Sequence, residues 1–131
     1  MGYEIHWKPG GVVRRFFGHV TGSELLAVVV EIQADERFDS LHYVINDFLD
    51  VSGFALTPNA IDEISAIDGA AAMTNSRIRV ATVATAPAIV ATSTQFANSP
   101  LNAYLTRIFE SMTNAMEWLA LPPTTKTTGR P

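Results

Sequence analysis

The feature that most constrains the fold is a repeated change of period along the chain. Stretches in which apolar residues alternate every second position give way to stretches in which they recur every third or fourth, and start signals mark the changes. Tyr3, Ile5 and Trp7 alternate with Glu4, His6 and Lys8, the pattern of a strand with one buried face. Pro9-Gly10 fits the central pair of a type II turn and Val12 to Val20 resumes the extended pattern, so the two segments read as a β-hairpin. Thr21-Gly22-Ser23-Glu24 is a capping box, whose hydroxyl and carboxylate each satisfy an orphan backbone N–H at a helix start. Leu25, Val28, Val29 and Ile32 follow at helical spacing and carry a first helix to about Asp35.

The same alternation continues. Leu41 to Phe48 is rich in β-formers and short enough for an inner strand. Thr57 caps a second helix with Pro58 at its first position and Leu56 stapled onto Ile61, and Ile61, Ile64, Ile67 and Ala71 form its apolar stripe. Asp62 and Glu63 lie near its positive end. A fourth strand from Arg77 to Thr85, a third helix from Pro87 to about Asn98 and a fifth strand from Ala103 to Phe109 follow. Met112 to Leu119 then forms a last helix with Met112, Met116 and Leu119 on one side. The order ββαβαβαβα implies an α/β fold with right-handed crossovers, a mixed and mostly parallel sheet, an N-terminal β-hairpin as its antiparallel edge, and helices packed on the sheet.

A chain of 131 residues with 47% hydrophobic content can build one continuous core without metals or disulfides, and with no cysteine it has no thiol chemistry. One domain over residues 1–121 is expected. From Pro122 the composition falls to Pro, Thr, Lys, Gly and Arg, which predicts a flexible tail over residues 122–131. The net charge of −4, with lysine only at positions 8 and 126, argues against nucleic acid as a partner. The amino terminus lacks the basic leader and apolar core of a signal peptide, and the long uncharged stretch from Val80 to Thr106 is interrupted by Pro87 and Pro100. No membrane span is therefore expected, and cytoplasm is the simplest location.

Candidate chemistry is sparse. His6, His19 and His42 fall on three different strands with no paired metal-ligand spacing, so neither a metal nor a cofactor is expected. Asp47 and Asp50 come at the carboxyl end of the third strand, where open α/β sheets gather ligands. As a pair they suit acid/base work only if burial separates their pKa values. The simpler reading is that Asp47, Asp50 and Ser52 satisfy backbone N–H groups in a loop before the second helix. Glycine-rich phosphate loops and the Gly-x-Ser-x-Gly elbow are missing, and Arg77 and Arg79 read as exposed strand residues. The third helix is the unusual element: Ile89, Val90, Ser93, Phe96 and Ala97 make its inner face, while Ala91, Thr94, Gln95 and Asn98 make an outer face without a single charge. Such a face is either covered by a subunit or an apolar ligand, or is a small exposed surface of low cost.

The element order, the stretch Tyr43-Val44-Ile45-Asn46-Asp47-Phe48 and the ending Arg107-Ile108-Phe109 followed by Ala115-Met116-Glu117-Trp118-Leu119 resemble the SpoIIAA-like branch of the STAS domains, over about residues 3 to 120. The resemblance implies a compact module, similar in fold to the anti-sigma-factor antagonists, that binds partners, dimerises or holds nonpolar ligands without catalysis. Phosphorylatable members of the wider family carry an Asp-Ser-Ser-Gly-type turn that opens the helix after the third strand. Asp50-Val51-Ser52-Gly53 matches it at three positions, with valine in place of the first serine, which makes Ser52 the regulatory phosphosite candidate. The leading expectation is a non-enzymatic homodimeric binding module with a nonpolar pocket, for a small molecule or protein partner, lined by Phe54, Leu56, Ile64 and Phe96. The rivals are a phospho-regulated partner-binding protein acting through Ser52 and a hydrolase or isomerase built on Asp47. Trp118 is expected to anchor the last helix in the core.

Overall fold

The computed structural model describes residues 2–122. Tyr3–Lys8 (β1) and Gly11–Thr21 (β2) form the antiparallel hairpin, with Gly10 at the tip at φ 73°, a conformation open to glycine at no steric cost. The capping box then starts the first helix, Gly22–Ala34 (α1). The Thr21 hydroxyl accepts from the Glu24 amide at 3.2 Å and the Glu24 carboxylate accepts from the Thr21 amide at 3.0 Å. A one-turn 3-10 helix over Glu36–Ser40 leads into Tyr43–Ala55 (β3). Thr57 caps Pro58–Ala71 (α2), and Arg79–Val83 (β4), Pro87–Ala97 (α3), Leu105–Phe109 (β5) and Met112–Ala120 (α4) complete the order.

The five strands lie in sequence order, β1-β2-β3-β4-β5, with every pair after the hairpin parallel. Each parallel step needs a crossover, and α1, α2 and α3 supply the three. They cover one sheet face, burying Leu25, Val28, Ile64 and Ile89 against Val12, Phe16, Val44 and Phe48. The opposite face, with Ile45, Ala81 and Val83, is covered by α4 through Ala115. Successive strand residues thus serve different cores, as the pleat requires.

Three expectations are corrected. The third strand does not stop at Phe48 but runs to Ala55, so Asp50, Ser52, Gly53 and Phe54 are strand residues and not a loop. The cause is tertiary: β2 continues past Phe16 to Thr21 and pairs with the extension across two register shifts, the second beside Gly18 at φ 74°. That partner, with Val51 buried between exposed Asp50 and Ser52, overrides the turn chemistry of Asp, Ser and Gly. The fourth and fifth strands are shorter than their apolar patterns. On α4, Met116 is 45% exposed and Ala115, with Trp118 and Leu119, takes the inward side. Apart from Pro122, the expected tail lies outside the described residues, and no helix among the described residues is long and apolar enough to cross a membrane.

Candidate functional site

Strand register places three polar residues in one row across the centre of the sheet. Arg14 on β2 pairs with Asn46 on β3, which pairs with Thr82 on β4. Each stands between apolar residues two positions away, such as Val12 and Phe16 or Val44 and Phe48, so all three point under the crossover helices and not to α4. The Arg14 Nε donates to Asn46 Oδ1 at 2.7 Å, and Asn46 Nδ2 donates to Thr82 Oγ at 3.3 Å. The row is thus internally hydrogen-bonded at the side facing the sheet.

Above it lies a cavity of about 70 Å³, walled by Ile64, Ser65 and Asp68 of α2, Ser93 and Phe96 of α3, and Asn102, Tyr104 and Thr106 leading into β5. Asp68 accepts from the Gln33 amide at 2.9 Å. It faces the same cavity as Arg14, yet the two make no direct ion pair. Burial lowers the Arg14 pKa, opposed by the Asp68 charge; burial raises that of Asp68, opposed by Arg14 and by the Gln33 hydrogen bond. Burial, helped by the Asp68 charge, pushes Tyr104 up to about 12, so its hydroxyl is a neutral donor. The hydroxyls of Ser93 and Tyr104 are buried without a hydrogen-bond partner among the described residues. A cation, an anion held apart from it and two unmatched hydroxyls form a set suited to holding a polar group.

The side chains expected to form a site are dispersed. Ile64 and Phe96 line this cavity, together with Leu25, Val29, Phe48 and Val80, so the polar groups named above sit in a wall that is otherwise apolar. Leu56 lies instead in a groove with Pro58, Ile61 and Asp62 of α2, Gln95 of α3 and Asn98 just beyond it. Phe54 packs edge-on against Phe48 with ring centroids 5.2 Å apart. The structure therefore does not gather the four around one space. Asp47 Oδ1 accepts from the Leu49 amide at 3.1 Å, a local backbone contact of the kind expected. Asp50, by contrast, accepts from Arg15 Nη2 at 2.6 Å and makes an exposed ion pair, and Ser52 is exposed on the strand. His6 pairs with Glu4 at 3.0 Å, and no group of three or more metal-ligating side chains gathers among the described residues. Arg77 donates to the Asp39 carbonyl at 2.6 Å. Arg79 binds the carbonyls of Trp118, Leu119 and Leu121 at 3.2, 2.8 and 3.1 Å, which closes the negative end of α4.

Sequence reasoning missed Arg14, Asn46, Thr82, Asp68, Ser93 and Tyr104 as a set. A signal was present in the strand phases Val12-x-Arg14-x-Phe16 and Val44-x-Asn46-x-Phe48, where a polar residue takes an inward position. Only the register shows that these positions are neighbours.

No protein-family model matches the chain. No curated protein matches it either. Solved structures do. The anti-sigma factor antagonist SpoIIAA in its unphosphorylated form superposes with a TM-score of 0.59 at 10% identity, over 89% of this chain and 96% of that one. The Bacillus cell fate determinant SpoIIAA in the phosphorylated form gives 0.54 at 13%, over 89% and 98%. An uncharacterised protein of the DUF3478 family from Shewanella loihica, described as having a SpoIIAA-like fold, gives 0.52 at 14%, over 90% and 92%. At these identities the likeness is one of architecture, and the chain has the SpoIIAA-like fold.

Proposed function

We propose that the chain is a non-catalytic protein-binding module that docks through the outer face of α3 and the adjoining groove at the start of α2. One observation supports this above the others: Ala88, Ala91, Thr94, Gln95 and Asn98 are all exposed, and none is charged. A helix face left to water normally carries Lys and Glu, whereas the centre of an interface is depleted of charge. The groove beside it adds Leu56, Pro58 and Ile61 as apolar contact area. The likeness to a structure described as an anti-sigma factor antagonist, a name that denotes action on another protein, agrees with this reading. The occupant is a second copy of the chain or a different protein.

A second reading concerns Ser52. Its side chain is exposed beside Asp50, and phosphorylation there would add about −2 charge and weaken docking by repulsion.

Native mass spectrometry of the protein isolated from its own cells tests both readings. An assembly mass above that of one chain is expected, either twice the chain or the chain plus a second polypeptide. A phosphate increment that maps to Ser52 and accompanies loss of the assembly supports the second reading. A bare single-chain mass, or a single chain with only a small nonpolar adduct, contradicts the docking proposal.

A further inference from the structure

We propose that the cavity beneath α2 and α3 is a binding site for a small zwitterion of the α-amino acid class, with glycine as its smallest member. The first support is the arrangement of charge. Arg14 commits its Nε to Asn46, and its two terminal nitrogens have no hydrogen-bond partner among the described residues. Asp68 uses Oδ1 for Gln33 and leaves Oδ2 without a partner among them. The two groups face one cavity but are not in ion-pair contact. Opposite charges that are partly buried and held apart, each with unpaired hydrogen-bonding atoms, are incompletely compensated.

An α-amino acid compensates both. Its carboxylate matches the planar fork of the guanidinium, and its ammonium offers three donors to Asp68. A simple anion would meet Arg14 but also face Asp68; a simple cation would have the reverse difficulty. Among ligands that carry charged groups, the zwitterion meets both residues and leaves the net charge of the cavity unchanged.

The second support is independent of charge. Ser93 and Tyr104 are only 4% and 8% exposed, and their hydroxyl oxygens have no partner among the described residues. Buried hydroxyls are normally paired, so two orphans on one cavity wall point to an occupant with acceptor oxygens. The space itself admits such a ligand. A space of about 70 Å³ holds more than a single water, and glycine is the smallest ligand of the class that carries both charges.

The test titrates isotopically labelled full-length protein with glycine, acetate and methylammonium separately, following the backbone amides of Ser93 and Tyr104 by NMR. Saturable shifts are expected with glycine at a concentration about tenfold lower than with either half-molecule. Asp68→Asn should abolish the preference for glycine over acetate. Arg14→Met should abolish carboxylate binding, but it also breaks the polar row, so the ligand series on the parent protein and the milder Asp68→Asn variant decide the matter if that variant unfolds. Acetate binding as tightly as glycine, a preference for glycine that survives Asp68→Asn, or no saturable shift with glycine would overturn the proposal, the last leaving a cavity filled by water only.

Discussion

Under the crossover helices this protein places a row of polar residues in apolar surroundings. Arg14, Asn46 and Thr82 are compatible with a core because each hydrogen-bonds within the row, and a buried polar group left unmatched would cost about 1 to 3 kcal/mol. Carboxylates show how far position decides chemistry. Asp35 is partly exposed and takes side-chain and backbone hydrogen bonds from Arg37, which lower its pKa to about 2. Asp68 is shifted the other way by burial. The signs for stability are opposite. The stabilising contribution of Asp35 is present above its ordinary value of 3.8 and is lost as pH falls through about 2. For Asp68 the folded state holds its proton more tightly than the unfolded one, so its contribution improves as pH falls into that raised range. Carbon-detected NMR titration of the two carboxyls should place the Asp35 midpoint near 2 and the Asp68 midpoint above 3.8. The two midpoints together at the ordinary value would refute the assigned environments.

At the scale of the element, the helix starts were the most legible part of the sequence because their causes are local. The box at Thr21 and Glu24 and the cap at Thr57 ahead of Pro58 need no distant partner to form. The extension of β3 was not legible, since Asp50-Val51-Ser52-Gly53 has turn chemistry and is held extended by β2 alone. The cavity was illegible for the same reason: Arg14, Asn46 and Thr82 are 32 and 36 residues apart along the chain, and strand register alone brings them together. Trp118 stands between these cases. Its role as an anchor of α4 was readable, but it is only half-buried, packed on Phe109 at 5.4 Å with Arg79 and Arg107 over its ring at 5.3 and 5.7 Å. Trp118→Ala should therefore cost about 2 to 3 kcal/mol in urea unfolding, less than the 3 to 5 of a fully buried tryptophan. A loss below about 0.5 kcal/mol would mean that α4 is anchored by Arg79 and Ala115 without it.

For the whole molecule, the parallel order β2-β3-β4-β5 puts all three crossover helices on one face and leaves α4 alone on the other. This one-sided layering encloses the cavity between sheet and helices. It also turns the outer side of α3 to the surface, between exposed Ala88 and Asn98, as the uncharged patch on which the functional reading rests. A charge placed there discriminates directly between covered and free surface, because burying an unpaired charge is costly and exposing one is not. Thr94→Lys and Asn98→Glu are the decisive variants, each compared with the parent for assembly mass after isolation from the same cells, with far-ultraviolet circular dichroism confirming the fold. The account predicts that at least one variant loses the assembly while its spectrum stays native. Two variants that keep the parent's assembly and stability to within about 0.5 kcal/mol would contradict it.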